Sequence, residues 1–410
     1  MKLPRLFAKP EVKESQAHSV LVMNPGQPVW TPRDYKSFAE EAYVRNVIAY
    51  QAINKIAEAV SSVRWVAFRG ETEVTQSPAL DLINNPNPMQ SGREFIEAKI
   101  GYLMISGNAY DERIMVSNQP REMYTHRPDR MKVVPGPNGT PKAYIYEVNN
   151  SRVTWQVDDS GNSDIQHMRL FNPLNDWYGQ APVEAAAYAI DQHNEAMKWL
   201  QALLQNSARP SGALVSGEAL TDEQYNRLKA QMEGQYQGGK NAGRPMLLEG
   251  GLDWKEMGLS PSDMGIIEAK HSAARDISLA FGVPPQLLGI PGDNTYSNYS
   301  EARLSFWEDT IVPLVDRLAD EFTAFIGQPF GVEIRADMDQ IPAIVDKRRT
   351  LWEMVNASTV LTINEKRESM GYDPISGGDE VFIGMGQIAL GDAALSAQDA
   401  LAVGYGAQDQ

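Results

Sequence analysis

The chain has 410 residues, a formal net charge of −16, an apolar fraction of 42% and 9% aromatic residues, the make-up of a folded globular protein with room for about two to four domains. The acidic balance argues against a protein that grips DNA phosphates through a basic face. With no cysteine there is neither a disulfide framework nor a thiolate metal site, and no stretch approaches the roughly 18 apolar residues of a membrane helix.

Residues 1–29 read as a loose arm, with Pro4, Pro10, Pro25 and Pro28 and no periodicity. The run Met1-Lys2-Leu3-Pro4-Arg5-Leu6-Phe7 lacks the apolar core of a signal peptide, so synthesis in the cytoplasm is expected. Residues 34–62 pattern as one helix, with Val47, Tyr50, Asn54, Ala57 and Val60 aligned, and a strand follows at Trp65–Phe68. After Pro86 and Pro88, Ser91 and Glu94 form a capping box for a helix to about Ile105. From Asn108 to Leu170 the pattern changes to short alternating strands separated by turn clusters, among them Gly136-Pro137-Asn138-Gly139. This first part is α+β.

A long helix starts at Pro182, carries Val183, Ala187, Ile190, Met197, Leu200 and Leu204 in a stripe, and ends before Arg209-Pro210-Ser211-Gly212. A module of about 50 residues follows, with a strand at Ala213–Ser216, a helix capped by Thr221 and Gln224, a Gly-rich turn at 238–243, a strand at Met246–Glu249 and a tail through Trp254. A helix flanks the module on each side, so it reads as an insertion at the tip of a stalk.

The second flanking helix opens at Ser260-Pro261 and runs to Gly282. The loop from Val283 to Tyr299 holds prolines, glycines and tyrosines but no His, Cys, Lys or Arg. The next helix is expected to start near Asn298 with Glu301 as capping partner, and to show Leu304, Trp307, Ile311, Leu314, Val315, Leu318, Phe322 and Phe325 on one face. Pro313 inside it deletes a backbone hydrogen bond and predicts a kink. Residues 259–327 hold ten acidic and four basic side chains, a net of −6, so copies ringing a pore would repel DNA. Beyond Gly327 come a strand at Val332–Arg335, a helix at about 341–356, and a short helix capped by Thr362 and Glu365. The last 20 or so residues, rich in Ala, Gly, Asp and Gln, are expected to be disordered.

Reactive chemistry is nearly present in several places and complete in none. Gly234-Gln235-Tyr236-Gln237-Gly238-Gly239-Lys240-Asn241 is one residue from a phosphate-binding loop, but Asn241 stands where magnesium binding needs Ser or Thr, and the run follows a helix. Gly384-Met385-Gly386 lacks the third glycine of a dinucleotide fingerprint. The five histidines (His18, His126, His167, His193 and His271) show no zinc spacing, and His193 and His271 read as surface or satisfied helix residues. No nucleophile elbow occurs, and solvated acids are the default for the many carboxylates. No catalytic residue, metal or cofactor is expected.

The run Ile277-Ser278-Leu279-Ala280-Phe281-Gly282-Val283-Pro284-Pro285-Gln286-Leu287-Leu288-Gly289, then Gly292 to Arg303, then Phe306-Trp307-Glu308, resembles the portal proteins of long-tailed, lambda-like bacteriophages and related gene transfer agents. Gly107-Asn108-Ala109-Tyr110, Arg127-Pro128-Asp129-Arg130-Met131, Ala208-Arg209-Pro210-Ser211-Gly212, Trp254 to Pro261, Leu361 to Glu365 and Gly377-Gly378-Asp379 agree with it, so the resemblance spans about residues 35–385. It implies a portal fold of wing, stem, clip and crown in a cyclic homo-oligomer, usually a dodecamer, at one capsid vertex. Mapped onto this chain, the wing is 30–181, the stem helices 182–207 and 259–283, the clip 208–258, the tunnel loop 284–298, a kinked wing helix 299–327, the crown 328–385, and the tail 386–410.

The resemblance also implies partners: the terminase large subunit and then the head–tail adaptor on the clip, the major capsid protein, and double-stranded DNA in the channel, with no membrane. Its tunnel loop would offer Gln286, Asp293, Asn294, Thr295, Tyr296, Ser297, Asn298 and Tyr299 to the DNA, unless Tyr296 and Tyr299 pack as pegs against the stem. Arg227, Lys229, Lys240 and Arg244 are the docking candidates on the clip. The particle would assemble in the host cytoplasm and the protein remain in the virion. Two other classes stay open on the residues alone: a monomeric scaffold or adaptor, and a packaging nuclease or ATPase whose site is not visible.

Overall fold

The computed structural model describes residues 32–205, 212–216, 221, 223, 224, 226, 227, 230, 252–256, 265–292, 296–370, 372–380, 382–383 and 388–389. The helix expected over 34–62 is broken in two. A turn of α1 (Tyr35–Phe38) continues as a π-helical segment, Ala39–Val44, and Asn46 then takes an extended conformation and caps α2 (Val47–Ser61) by accepting from the Ile48 and Ala49 N–H groups. Aligned apolar residues carried the expectation across this break, because periodicity does not register a single capping residue.

Next come β1 (Trp65–Arg69), β2 (Thr72–Val74), α3 (Pro78–Asn84) and α4 (Gly92–Ser106). The capping box at Ser91 and Glu94 forms as its spacing predicts, the Glu94 carboxylate accepting from the Ser91 N–H at 2.9 Å. Helix α4 ends at Gly107, whose φ of +72° suits glycine. The same residue passes so close to Gly179 that a Cβ on Gly179 would stand 2.1 Å from the Gly107 carbonyl oxygen.

The strand-rich part forms two antiparallel sheets. One orders β4 (Gln119–His126), β3 (Asn108–Val116) and β8 (Ile165–Arg169); the other orders β5 (Met131–Pro135), β6 (Pro141–Val148) and β7 (Ser151–Gln156). Tyr110, Met131, Val133, Tyr144 and Ile165 form a small core of their own. His167 stacks on Tyr110 with centroids 4.2 Å apart, and its Nε2 lies 3.0 Å from Asn108 Oδ1. Burial, then the Arg169 charge, pushes its pKa down to about 3, so the ring is neutral and donates to Asn108.

Next come α5 (Pro182–Ala185) and α6 (Ala187–Gln205), which lies along α7 (Ile266–Ala280). Between them β9 (Gly212–Ser216) pairs antiparallel with β10 (Leu252–Glu256), from Gly212 opposite Glu256 to Ser216 opposite Leu252. The strand expected at Met246–Glu249, the helix opening at Ser260-Pro261 and the residues beyond 390 lie outside the described residues. His193 on α6 is a satisfied core histidine: Asn46 donates to its Nδ1 at 3.2 Å and to Asn194 Oδ1 at 2.9 Å.

After the loop, α8 (Tyr296–Ser305) passes through a π-helical segment, Phe306–Ile311, into α9 (Val312–Phe322). The disturbance expected at Pro313 takes this form, with Pro313 in the first turn of α9, directly after the wider π turn that spares its ring the i−4 carbonyl. A second π segment, Thr323–Gly327, leads to β11 (Glu333–Ala336). This strand pairs with β1, Trp65 opposite Ala336, so a strand from the segment expected as the crown shares a sheet with one from the segment expected as the wing. Its partner lies far back in the chain, where sequence reasoning had no handle. α10 (Pro342–Ala357) and α11 (Ile363–Ser369) follow, the latter closed by its Thr362–Glu365 capping box.

One core of apolar residues runs through α2, α4, β1, α7, the loop and α9. Inside it lies a charge. Lys99 of α4, 1% exposed, reaches Asp111 of β3 at 2.6 Å and Glu321 of α9 at 3.5 Å, with the Phe322 ring 5.2 Å from its ammonium. Burial pulls the Lys99 pKa down, but Asp111 and Glu321 more than offset it and the net direction is upward. Asp111 Oδ1 is buried with no hydrogen-bond partner among the described residues.

Lys99→Met strands the buried Asp111 carboxylate and leaves the half-buried Glu321 with Arg317 alone, at 3.9 Å; it should cost about 3–5 kcal/mol by urea unfolding, whereas the apolar triple Lys99→Met, Asp111→Leu, Glu321→Leu should recover most of that loss. Burial holds the Glu321 carboxyl above its ordinary value of 4.5, with Lys99 opposing and Asp111 adding to the rise. A raised folded-state value means the folded chain binds that proton more tightly. The contribution is therefore complete at low pH and is lost as pH climbs through the folded value. Glu321→Gln should flatten this decline, read as urea midpoints between about pH 4 and pH 8.

Candidate functional site: the hairpin loop and the inserted module

The loop between α7 and α8 is anchored at its base by four polar contacts. Gly282 turns the chain at φ +65°, and Thr310 Oγ1, from the π segment across the hairpin, donates to its carbonyl at 2.6 Å. A Cβ at Gly282 would stand 2.8 Å from that hydroxyl, so the position needs glycine for both conformation and room. Ser278 Oγ donates to the Val283 carbonyl, and the Val283 N–H returns to the Ser278 carbonyl at 3.0 Å. Farther along, Arg275 donates to the Pro291 carbonyl at 2.7 Å.

Apolar burial completes the anchoring. Pro284 and Pro285 lead into a short 3₁₀ turn, Pro285–Leu288, that places Leu287 in the core, and Ile290 is 3% exposed. The near half of the expected tunnel loop is thus a docked turn, and Gln286 sits on it, half-buried. Asp293, Asn294 and Thr295 lie outside the described residues. The helix start expected near Asn298 is corrected to Tyr296, so Asn298 and Glu301 lie within α8 and make no capping pair. Tyr296 and Ser297 occupy the first turn of α8, Asn298 is half-buried, and Tyr299 is 46% exposed. Tyr299 therefore does not serve as a buried peg within the protomer.

The charges of the hairpin divide. Asp276, Glu301, Glu308, Asp309, Asp316 and Asp320 are exposed, whereas Glu321 faces Lys99 in the core and is a correction to the reading of all these acids as solvated. Partial burial, then the neighbouring Asp320, pushes the Asp316 carboxyl up. Arg275 is occupied with Pro291, and the exposed charged side chains of α8 are Glu301 and Arg303.

In the inserted module, the Thr221–Gln224 cap forms: Thr221 N–H donates to Gln224 Oε1 at 3.0 Å. Residues 223, 224, 226, 227 and 230 are helical, and Arg227 is exposed there. Lys229, Lys240 and Arg244, with the near-phosphate loop at Gly234–Asn241, lie outside the described residues. Among the described residues, no group of three or more His, Asp or Glu could hold a metal ion, and no helix is long and apolar enough to cross a membrane. Sequence reasoning missed Lys99, Asp111, Thr310 and Arg275 as positioning residues. Their partners lie up to 222 positions away, and no local spacing signals them.

The family described as phage portal protein matches residues 48–371. A protein of Rickettsia bellii is 40% identical over 83% of this chain and 90% of its own length. The portal protein of Enterobacteria phage HK97 is 22% identical over 76% of this chain and 73% of its own. Among solved structures, a chain from the neck of a native gene transfer agent particle, computed with C12 symmetry, is 43% identical, covers 85% of this chain and 96% of its own, and superposes with a TM-score of 0.64. The family match opens in α2, takes in both hairpin helices and their anchored loop, and closes just past α11: the chain belongs to the phage portal protein family.

Proposed function

We propose that this portal protein forms a closed ring, twelve copies in the simplest case, at one vertex of a capsid, and that double-stranded DNA enters and leaves the particle through its centre. The observation that carries this reading is the likeness, over most of both chains, to a subunit of a particle neck with C12 symmetry. Ring closure requires heterologous contacts, each subunit offering one face to its neighbour's other face. The role is structural rather than catalytic. The hairpin loop faces the DNA and the clip, 208–258, takes the terminase large subunit during packaging and the head–tail adaptor afterwards. The ring meets the major capsid protein at its vertex, and assembly takes place in the host cytoplasm before the protein stays in the virion.

The loop is suited to brush DNA without holding it. Its base is fixed by Thr310, Ser278 and Arg275, and its tip has no cation that would displace counterions from phosphate. Asp293→Arg with Asn294→Arg adds two cations per subunit at that tip without touching an anchor. The double variant should form normal rings by mass photometry yet package DNA more slowly, with rates recovering as salt rises. Unchanged packaging at low salt would remove the loop from the channel.

The clip reading is tested separately. Reversing Arg227, Lys229 and Lys240 to Glu should weaken pull-down of the terminase motor about tenfold, from roughly 0.5 kcal/mol for each exposed pair lost, and leave ring mass unchanged. Equal capture of the motor by both proteins would place its docking surface elsewhere.

A further inference from the structure

Helix α4 contains a glycine that its own fold does not explain. Gly92, at the start of the helix, is accounted for: a Cβ there would stand 2.2 Å from the Ile83 carbonyl oxygen. Gly101 is different. It lies in the middle of α4 with ordinary helical backbone, and a Cβ built on it meets no atom within 4 Å. Glycine inside a helix is unfavourable relative to alanine, and here nothing in the described chain uses the room it leaves.

That room opens into a cleft of about 480 Å³ between α1 with its π segment, α2 and α4. Three half-buried tyrosines, Tyr35, Tyr43 and Tyr102, form its apolar walls, and Glu58 and Glu97 stand at its rim. Ser61 donates to Glu97 at 3.0 Å, and neither acid has a cationic partner among the described residues. The cleft is thus an apolar slot with an acidic edge and extra room at the backbone of its floor.

One segment of this chain has the opposite character. Residues 1–13 carry Lys2, Arg5, Lys9 and Lys13 against Glu11 alone, a net of +3 in a protein of net charge −16, interleaved with Leu3, Leu6 and Phe7. The tether to it enters at the cleft itself, since the described chain begins at residue 32 and Tyr35 is already a wall. Residues 14–31 span up to roughly 60 Å when extended, ample to bring the segment back. We infer that residues 2–13 of the N-terminal arm occupy this cleft, the apolar side chains against the tyrosines, a backbone stretch over Gly101, and the cations on Glu58 and Glu97. Tethering supplies about millimolar effective concentration, so even a weak intrinsic affinity fills the site.

The cysteine-free chain makes the test direct. In the full-length protein, Phe7→Cys should form a disulfide with Ala98→Cys at the cleft, within or between subunits, and not with Thr154→Cys on the exposed β7 strand. Gly101→Leu fills the slot while raising helix propensity, so the protein should stay folded and the yield should fall about tenfold, the size of effect expected when roughly 1.4 kcal/mol of affinity is lost. Glu58→Lys with Glu97→Lys should lower the yield several-fold, and adding Lys2→Glu with Lys9→Glu should restore it. As an independent readout, maleimide labelling of Ala98→Cys should speed up when residues 2–13 are removed. A yield no higher than the Thr154→Cys control, or labelling that ignores the arm, overturns the inference.

Discussion

The buried ammonium of Lys99 constrains elements that lie far apart in the chain. It ties α4, β3 and α9 at one point, across a sequence separation of 222 residues between Lys99 and Glu321. A purely apolar junction would accept small slips of α9 along α4 and β3, because dispersion and burial are weakly directional. A charged hydrogen-bonding group with no access to water does not: a slip of α9 leaves it or a carboxylate unpaired, at a cost of several kcal/mol. Such a cluster need not add net stability over well-packed apolar residues. What it contributes here is register.

Further contacts then inherit that register. Arg113 of β3 donates to the Phe325 carbonyl at 2.6 Å and stacks on its ring, and Arg317 donates to the Arg169 carbonyl, so α9 and the π segment after it are pinned to the β4–β3–β8 sheet. Thr323 Oγ1 exchanges hydrogen bonds with the Ile334 backbone, which carries the fix on to β11 and its partner β1. In the other direction the same rod holds Thr310 against Gly282 and so sets the base of the hairpin loop. Helix α6 is joined separately, through Asn46, Asn194 and His193, to the break that separates α1 from α2.

What could be read in the sequence follows the range of the interaction. Capping pairs three residues apart, Ser91 with Glu94, Thr221 with Gln224 and Thr362 with Glu365, were legible because both partners sit in one turn. Apolar stripes found the long helices, since helical spacing is local too. The break at Asn46, the π turn before Pro313 and the start of α8 at Tyr296 escaped, because backbone detail of one or two residues barely alters an apolar stripe. Buried acids escaped for a different reason: nothing near Asp111 or Glu321 in sequence distinguishes them from solvated carboxylates. The loop was legible as a chain segment free of cations. Its anchoring was not, because Thr310 and Arg275 act across the hairpin.

That anchoring bears on how an acidic ring can serve a polyanion. In the proposed ring, the exposed carboxylates of Glu301, Glu308, Asp309, Asp316 and Asp320 would repel phosphate within the roughly 8–10 Å that screening allows at physiological salt. A mobile neutral loop would yield to the passing duplex and transmit little force. A loop whose near half is docked through Leu287 and Ile290 and tied by hydrogen bonds at both ends of that half resists displacement without any attraction to the DNA. Stiffness at the base and the lack of a cation in the loop would therefore act together. In the proposed ring, repulsion from the flank would centre the duplex, and a cation-free loop would meet it without the salt-dependent grip that would arrest it.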